Sequence, residues 1–207
     1  MKALKLYLVT DRGLCPEGRS LVQTVKEAVE GGVTMVQLRE KDIDTRTFIE
    51  EALELKALLG PLGVPLIIND RVDVALASDA DGVHIGQSDM PYVIARRLLG
   101  PDRIIGLSVE NMDQVAQANA LDVDYIGVSP VFATPTKTDT ARPFGLDGLR
   151  EAVRIAKHPT VAIGGMNALT AADVMAAGTD GIAVVSAIIA APDPRAAAEE
   201  LKNIVDK

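Results

Sequence analysis

Residues 65–88 read PLIINDRVDVALASDADGVHIGQS and contain one full copy of a strand–helix–strand pattern. A short apolar run at 65–68 leads through polar residues and a short apolar-periodic segment to a second run at 82–85. Such runs are too short for helices, and they are apolar on both faces, as strands of a parallel sheet covered by helices must be. The stretch therefore predicts a strand, a helix and the next parallel strand.

The same unit recurs along the chain. Eight units in 207 residues leave about 26 residues for each, which predicts an α/β fold with a single (β/α)8 (TIM) barrel domain over residues 1–207. A doubly wound open sheet is the alternative, but residues 11–16 after the first run lack the G-x-G-x-x-G turn typical of it. The predicted strands are 6–10, 35–38, 65–68, 82–85, 104–109, 125–128, 160–163 and 182–185.

Composition and charge narrow the function classes. A chain that is 48% hydrophobic and 24% charged has ordinary globular usage, and its net charge of −8 provides no global field for holding a nucleic-acid backbone. The single cysteine, Cys15, excludes a disulfide framework and indicates a reducing compartment. Apolar runs stay well below the roughly 18 residues of a membrane span. We therefore expect a cytoplasmic protein that binds neither nucleic acid nor membranes.

Polar residues cluster where the predicted strands end. In a βα barrel the active site is built from the carboxyl ends of the strands and the loops behind them. Gln37, Arg39 and Lys41 alternate along the end of the second strand, so they would share one face at the barrel mouth. An arginine fork beside a lysine suits a diphosphate. The alternative is a solvated strand end in which Glu40 pairs with Lys41.

Two carboxylates follow neighbouring strands. Asp70 comes after the third run and Asp89 after the fourth, beside the predicted basic cluster. Mg²⁺ favours few carboxylates together with water and phosphate oxygens, so the pair predicts a magnesium site. The alternative is that both are helix N-caps, Asp70 for residues 72–77 and Asp89 for a helix that begins near Pro91.

The histidines give a weaker signal. His84 lies within an apolar run, where a hydrogen-bonded core histidine and a substrate contact both stay open, and His158 lies at the opposite end of its strand and is predicted to be structural. Two distant histidines and one cysteine do not assemble a nucleophilic triad or a thiolate–imidazole metal cluster. The sequence therefore does not favour hydrolysis through a covalent intermediate.

The loops after the seventh and eighth runs predict a phosphate site. Gly164 and Gly165 follow one run, and Val185 and Ser186 end the next, where barrels present backbone N–H groups to an anion. The glycine pair could equally serve only a tight turn. Residues 131–143 form the longest segment without periodicity, a length typical of functional lids or disordered loops.

Six ordered motifs resemble those of the thiamine phosphate synthase (thiamine-phosphate pyrophosphorylase) family, and together they span essentially the whole chain. They are YLVTD at 7–11, VQLREK at 36–41, INDR at 68–71, DGVHIGQ at 81–87, TPTK at 134–137 and IGGM at 163–166. This chain has Met166 where family members often carry isoleucine, and Ala183 where some carry serine. Neither difference removes a residue that the family's chemistry needs.

The resemblance implies a Mg²⁺-dependent enzyme acting on small molecules. The family joins 4-amino-2-methyl-5-hydroxymethylpyrimidine diphosphate to a thiazole phosphate, in its plain or carboxylated form, and releases pyrophosphate. Arg39, Ser108 and Lys137 would be the catalytic residues. The implied contacts are Arg39, Lys41, Asn69 and Lys137 to the diphosphate, Asp70 and Asp89 to Mg²⁺, Gln37 and His84 to the pyrimidine, Ser108 at the reacting centre, and Thr134, Thr136, Gly165, Val185 and Ser186 to the thiazole phosphate.

The implied mechanism needs no protein nucleophile. An aminopyrimidine stabilises a benzylic-type cation, so pyrophosphate can leave first, and the thiazole nitrogen then attacks with its own lone pair and without a general base. Two alternatives are a thiazole tautomerase of the same fold and a non-catalytic regulator that binds thiamine precursors. The regulator predicts losses at the site residues, which this sequence does not show. Homo-oligomerisation stays open.

Overall fold

The computed structural model describes residues 2–133 and 142–207, which form a closed barrel of parallel strands that follow one another in chain order. The predicted (β/α)8 barrel is confirmed, and the open sheet is excluded. The strands are β1 Leu6–Val9, β2 Met35–Leu38, β3 Leu66–Asn69, β4 Gly82–Ile85, β5 Ile104–Val109, β6 Tyr125–Val128, β7 Thr160–Ile163 and β8 Gly181–Val184.

Helices cover the outside of the barrel. Most begin or end as the sequence pattern predicts: Ser20 accepts a hydrogen bond from Gln23 N at the start of the first helix, and Gly31 ends it. The described helices are α1 Leu21–Glu30, α2 Thr45–Leu59, α3 Val72–Ala77, α4 Tyr92–Leu99, α5 Met112–Ala118, α6 Gly145–Ile155, α7 Ala171–Ala176, α8 Ser186–Ile189 and α9 Pro194–Val205.

Three strands differ from the prediction by one residue, β1 at its end and β3 and β8 at both ends. β1 ends at Val9, β3 runs from Leu66 to Asn69, and β8 begins at Gly181. The shift in β3 arises because Asn69 stays in register with His84 of β4 although its side chain is polar. Hydrophobicity alone places the strand end before Asn69, whereas the hydrogen-bond ladder extends through it.

The strands separate two apolar layers. Side chains that point outwards pack against the helices, while alternate residues fill the barrel interior. Burying each large side chain contributes about 1.5–3 kcal/mol relative to leaving it in water. The interior layer includes two tyrosines; it consists of Leu4, Tyr7, Val9, Met35, Ile67, Tyr125, Val161 and Ala183.

Within residues 2–133 and 142–207, no helix combines the length and the apolar character needed to cross a membrane. The cytoplasmic location stays a prediction.

Candidate active site

A cavity of about 940 Å³ opens at the carboxyl ends of the strands. It gathers every predicted site residue that the structure describes, although these residues come from loops spread over most of the chain. Thr134, Thr136 and Lys137 lie outside the described residues. The predicted residues that line the cavity are Gln37, Arg39, Lys41, Asn69, Asp70, His84, Asp89, Ser108, Gly165, Val185 and Ser186.

The cations lie just beyond β2. Arg39 follows the last residue of the strand, and its backbone N–H donates to Thr10 Oγ1 at 2.9 Å, which fixes the turn. The Arg39 guanidinium lies 3.5 Å from Asp11 Oδ2, and Lys41 Nζ lies 2.5 Å from Asp70 Oδ2. Both residues line the cavity, and each cationic group lies against a carboxylate.

The alternative pairing of Glu40 with Lys41 is wrong. The Glu40 side chain is only 5% exposed and lies 3.3 Å from Arg12 Nη2, on the far side of the turn from Lys41. Arg12 also contacts both carboxylate oxygens of Glu51 in α2 at 2.6 Å. Through Arg12, Glu40 thus links the turn after β2 to α2. Lys41 lines the cavity.

The helix-cap alternatives for Asp70 and Asp89 are also wrong. Asp70 adopts a left-handed backbone with φ 61° and donates its N–H to His84 O at 2.8 Å, while Arg71 takes the position before α3. Asp89 accepts the Gly86 N–H at 2.7 Å within the turn after β4. Both carboxyl groups therefore project into the cavity.

The two carboxyl groups lie against one another, and their pKa values move apart. Burial works to raise the pKa of Asp70, but hydrogen bonds from Lys41 and Asp89 outweigh it, so the Asp70 pKa lies below its usual value. Burial and the neighbouring Asp70 together raise the pKa of Asp89. Two carboxyl groups placed against one another in this way are a pair that a cation could bridge.

A chain of hydrogen bonds crosses the floor of the cavity. Gln37 Nε2 donates to Tyr7 Oη at 2.7 Å, and the hydroxyl oxygens of Tyr7 and Tyr125 are 2.8 Å apart. Tyr125 Oη lies 3.0 Å from His84 Nδ1, and His84 Nε2 lies 2.8 Å from Ser108 Oγ. His84 is therefore both a hydrogen-bonded barrel residue and a lining residue, so the two readings of its role are compatible.

Sequence reasoning missed both tyrosines and a further pair of lining residues. Tyr7 lines the cavity and Tyr125 lies beneath it, and burial raises the pKa of both, which keeps their hydroxyl groups protonated. Gln87 donates to Ser108 O at 2.6 Å, and Glu110 lies at the cavity two residues after Ser108. The alternation of inward positions along β1 and β6 was the one signal that could have found the tyrosines.

The loop after β7 requires its glycines. Gly164 has φ 101° and Gly165 has φ 71°, and a Cβ added at either would lie 2.8 Å from Pro130 Cβ or Phe132 Cβ, respectively. The turn therefore needs both glycines, and the same turn brings Gly165 to the cavity wall, so the phosphate site stays a prediction.

A family profile described as thiamine monophosphate synthase matches residues 6–188. The chain belongs to the thiamine monophosphate synthase family. It is 58% identical over 206 residues to a thiamine-phosphate synthase of Albidiferax ferrireducens, covering 100% of this chain and 94% of that protein. It is 55% identical to the thiamine-phosphate synthase of Vibrio campbellii, covering 99% and 100% of the two chains.

Solved structures agree with this membership. A thiamine phosphate pyrophosphorylase from Pyrococcus furiosus superposes with a TM-score of 0.90 at 45% identity, over 99% of this chain and 96% of that one. A 3-hexulose-6-phosphate synthase has a TM-score of 0.70 at 19% identity, over 97% and 99% of the chains, which shows the shared barrel alone. As a member of the thiamine monophosphate synthase family, the chain is a transferase of thiamine biosynthesis.

Cys15 plays no part in the described cavity wall. The thiol is half-buried in the loop after β1, and burial raises its pKa. A thiol with a raised pKa is a poor nucleophile near neutral pH.

Proposed function

We propose that this synthase joins a pyrimidine diphosphate to a thiazole phosphate at the described cavity, with Mg²⁺, and releases pyrophosphate. One observation carries the proposal: the cations Arg39 and Lys41 and the carboxyl groups of Asp70 and Asp89 line the same cavity at the mouth of the barrel. Cations suit a diphosphate and paired carboxylates suit a divalent ion, so the arrangement fits the two together.

The acidic pair fits Mg²⁺ in particular. Among the described residues, no group of three or more His, Cys, Asp or Glu side chains could hold a metal, so the protein would supply two carboxylates. Mg²⁺ commonly takes one or two carboxylates and fills its remaining positions with water and substrate phosphate. When bound, Mg²⁺ would neutralise negative charge that develops on the departing diphosphate.

The chain's own residues would bind and orient the diphosphate. The Arg39 fork can contact two phosphate oxygens at once, and Lys41 adds a compact charge once the diphosphate draws it from Asp70. Asn69, which is 8% exposed at the end of β3, can donate its amide. The motif residue Lys137 would add a further cation to the leaving group.

The reaction then depends on how the two substrates are positioned. The pyrimidine would lie over Gln37, His84 and Ser108, with its methylene carbon directed to the thiazole. The carbon–oxygen bond to the diphosphate breaks, the diphosphate keeps the electron pair, and the thiazole nitrogen forms the new carbon–nitrogen bond. Gly165, Val185 and Ser186, together with Thr134 and Thr136 of the sequence motif, would hold the thiazole phosphate.

Pyrophosphate release in the presence of both substrates tests the proposal. We expect pyrophosphate and thiamine phosphate in equal amounts and only with Mg²⁺, and we expect Lys137→Ala to slow both by a factor on the order of 100. Isomerisation of the thiazole without pyrophosphate would indicate a tautomerase. Tight binding of both ligands without product would indicate a regulator, and either result would refute the proposal.

A further inference from the structure

We propose that Tyr125, which lies beneath the cavity, is a positioning residue that sets which ring nitrogen of His84 carries the proton and thereby the direction of the hydrogen bond between His84 and Ser108. Tyr125 is fully buried in the barrel interior, whereas Gln37, His84 and Ser108 line the cavity. The inference deepens the proposed function, on which its kinetic test rests, because these three residues are those that would face the pyrimidine.

The direction of the chain follows from counting donors. A tyrosine hydroxyl has one hydrogen to donate. Among the described residues, the Tyr7 hydroxyl contacts Gln37 Nε2, which donates to it, and Tyr125 Oη, to which it must therefore donate. Tyr125, having accepted that hydrogen bond, donates its own hydrogen to His84 Nδ1.

The state of His84 follows in turn. Nδ1 accepts from Tyr125 and carries no proton, so the neutral ring carries its proton on Nε2 and donates it to Ser108 Oγ at 2.8 Å. Ser108 then keeps its own hydroxyl hydrogen for an acceptor in the cavity. A pyrimidine ring nitrogen is such an acceptor, and a reversed chain would remove this donor.

The sheet is built to allow this contact. In the strand register Gly106 of β5 lies between His84 of β4 and Tyr125 of β6. A Cβ at Gly106 would clash with the ring and hydroxyl of Tyr125 and would lie 2.6 Å from His84 Nδ1. The absence of a side chain at this one position therefore lets two side chains from non-adjacent strands bond across β5.

The rings also fix one another in orientation. The His84 and Tyr125 rings stack with centroids 5.5 Å apart and an interplanar angle of 29°. Tyr7 meets Tyr125 edge-on at 79° with centroids 5.9 Å apart. A Cβ at Gly127 would lie 3.1 Å from His84 Cε1, so the ring lies in space that a side chain at position 127 would need. Packing sets the plane of the His84 ring, and the Tyr125 hydroxyl sets its proton.

Nitrogen NMR of the full chain labelled with ¹⁵N-histidine tests the inference. The chain has two histidines, so the spectrum is simple, and His158→Gln assigns it. We expect wild-type His84 to show a bare Nδ1 and a protonated Nε2, and Tyr125→Phe to shift both nitrogens towards a mixture of tautomers. Tyr92→Phe is the matched control, because it removes a hydroxyl that donates to Asp122 O at 2.7 Å outside the cavity wall.

Kinetics separate positioning from a purely structural role. We expect Tyr125→Phe to lower kcat/KM for the pyrimidine diphosphate by about tenfold, the size expected for one orienting hydrogen bond, and to leave KM for the thiazole phosphate unchanged. Tyr92→Phe should change neither value.

Several results would overturn the inference: a proton on Nδ1 in the wild type, an unchanged His84 spectrum in Tyr125→Phe, or KM values for both substrates that change in parallel. The wild-type spectrum decides even if Tyr125→Phe does not fold. The NMR spectrum also needs no turnover. If the chain made no thiamine phosphate, the proposed function would be refuted, and the spectrum alone would decide whether Tyr125 sets the proton of His84.

Discussion

At the scale of single residues, the proposed metal site depends on Asp70 and Asp89. We expect Asp70→Asn to lower turnover strongly and to raise the Mg²⁺ concentration needed for half-maximal rate, because one of two carboxylates for the ion is lost. Asparagine also tolerates the left-handed backbone at φ 61°, so the fold is kept. The measurement is the initial rate across a Mg²⁺ titration.

Asp79→Asn is the matched control for this change. Asp79 also has a positive φ, at 53°, and its carboxylate pairs with Arg103 on the surface, away from the cavity lining. Its Mg²⁺ dependence should equal that of the wild type. A wild-type Mg²⁺ profile in Asp70→Asn would remove Asp70 from the metal site.

Glu40 gives a pH prediction that concerns stability alone. Burial, and then the nearby Glu51 carboxylate, raises the pKa of Glu40 despite the charge of Arg12. A carboxyl group whose pKa is higher in the folded state favours folding while it is protonated, and this advantage is lost as pH rises through the folded pKa. Glu40→Gln should therefore raise the free energy of unfolding at pH 7 relative to wild type, and the gain should vanish near pH 4.

Urea unfolding at the two pH values measures the effect. Glu51→Gln provides the contrast, because it breaks the paired contacts to Arg12 and should lower stability at pH 7 by about 1 kcal/mol or less for this half-exposed arginine. A gain from Glu40→Gln that is equal at both pH values would contradict the explanation.

At the scale of elements, the start of β8 depends on close backbone approach. A Cβ at Gly181 would overlap the carbonyl group of Leu4, so Gly181→Ala should destabilise the fold by about 1–3 kcal/mol, as overpacked core positions do. Gly60 ends α2 with φ −53° and open space around its Cα, so Gly60→Ala should be neutral or stabilising by about 0.4–1 kcal/mol. Thermal unfolding of both variants tests this. Equal effects would contradict the register of β8.

At the same scale, the sequence predicts the strands well but leaves the structure of the loops after β3 and β4 open. Apolar runs predicted all the strands because each is buried on both faces, and a one-residue error at β3 arose where polar Asn69 continues the ladder. Local sequence left a helix cap open as the alternative for Asp70 and for Asp89, because a cap and a turn use the same residue types. Which of these occurs depends on the tertiary position of Lys41 and Gly86.

At the scale of the whole molecule, the barrel brings together candidate site residues that lie far apart in the chain. The net charge is −8, yet Arg39 and Lys41 line one cavity, so an anion bound there would be held by local geometry and not by the overall field. The polar residues at the ends of the predicted strands indicated this clustering. The bond between His84 and Tyr125 could not be predicted, because it requires the register of three strands and the missing side chain at Gly106.

The proposed metal and diphosphate site is tested most directly by the anomalous scattering of Mn²⁺ in crystals grown with a non-reactive pyrimidine diphosphate analogue. Mn²⁺ takes the place of Mg²⁺ and can be located without ambiguity. We expect one peak within about 2.3 Å of carboxylate oxygens of both Asp70 and Asp89 and of the diphosphate, with Arg39 against the same diphosphate. A Mn²⁺ peak away from both carboxylates, or a diphosphate bound outside this cavity, would contradict the account.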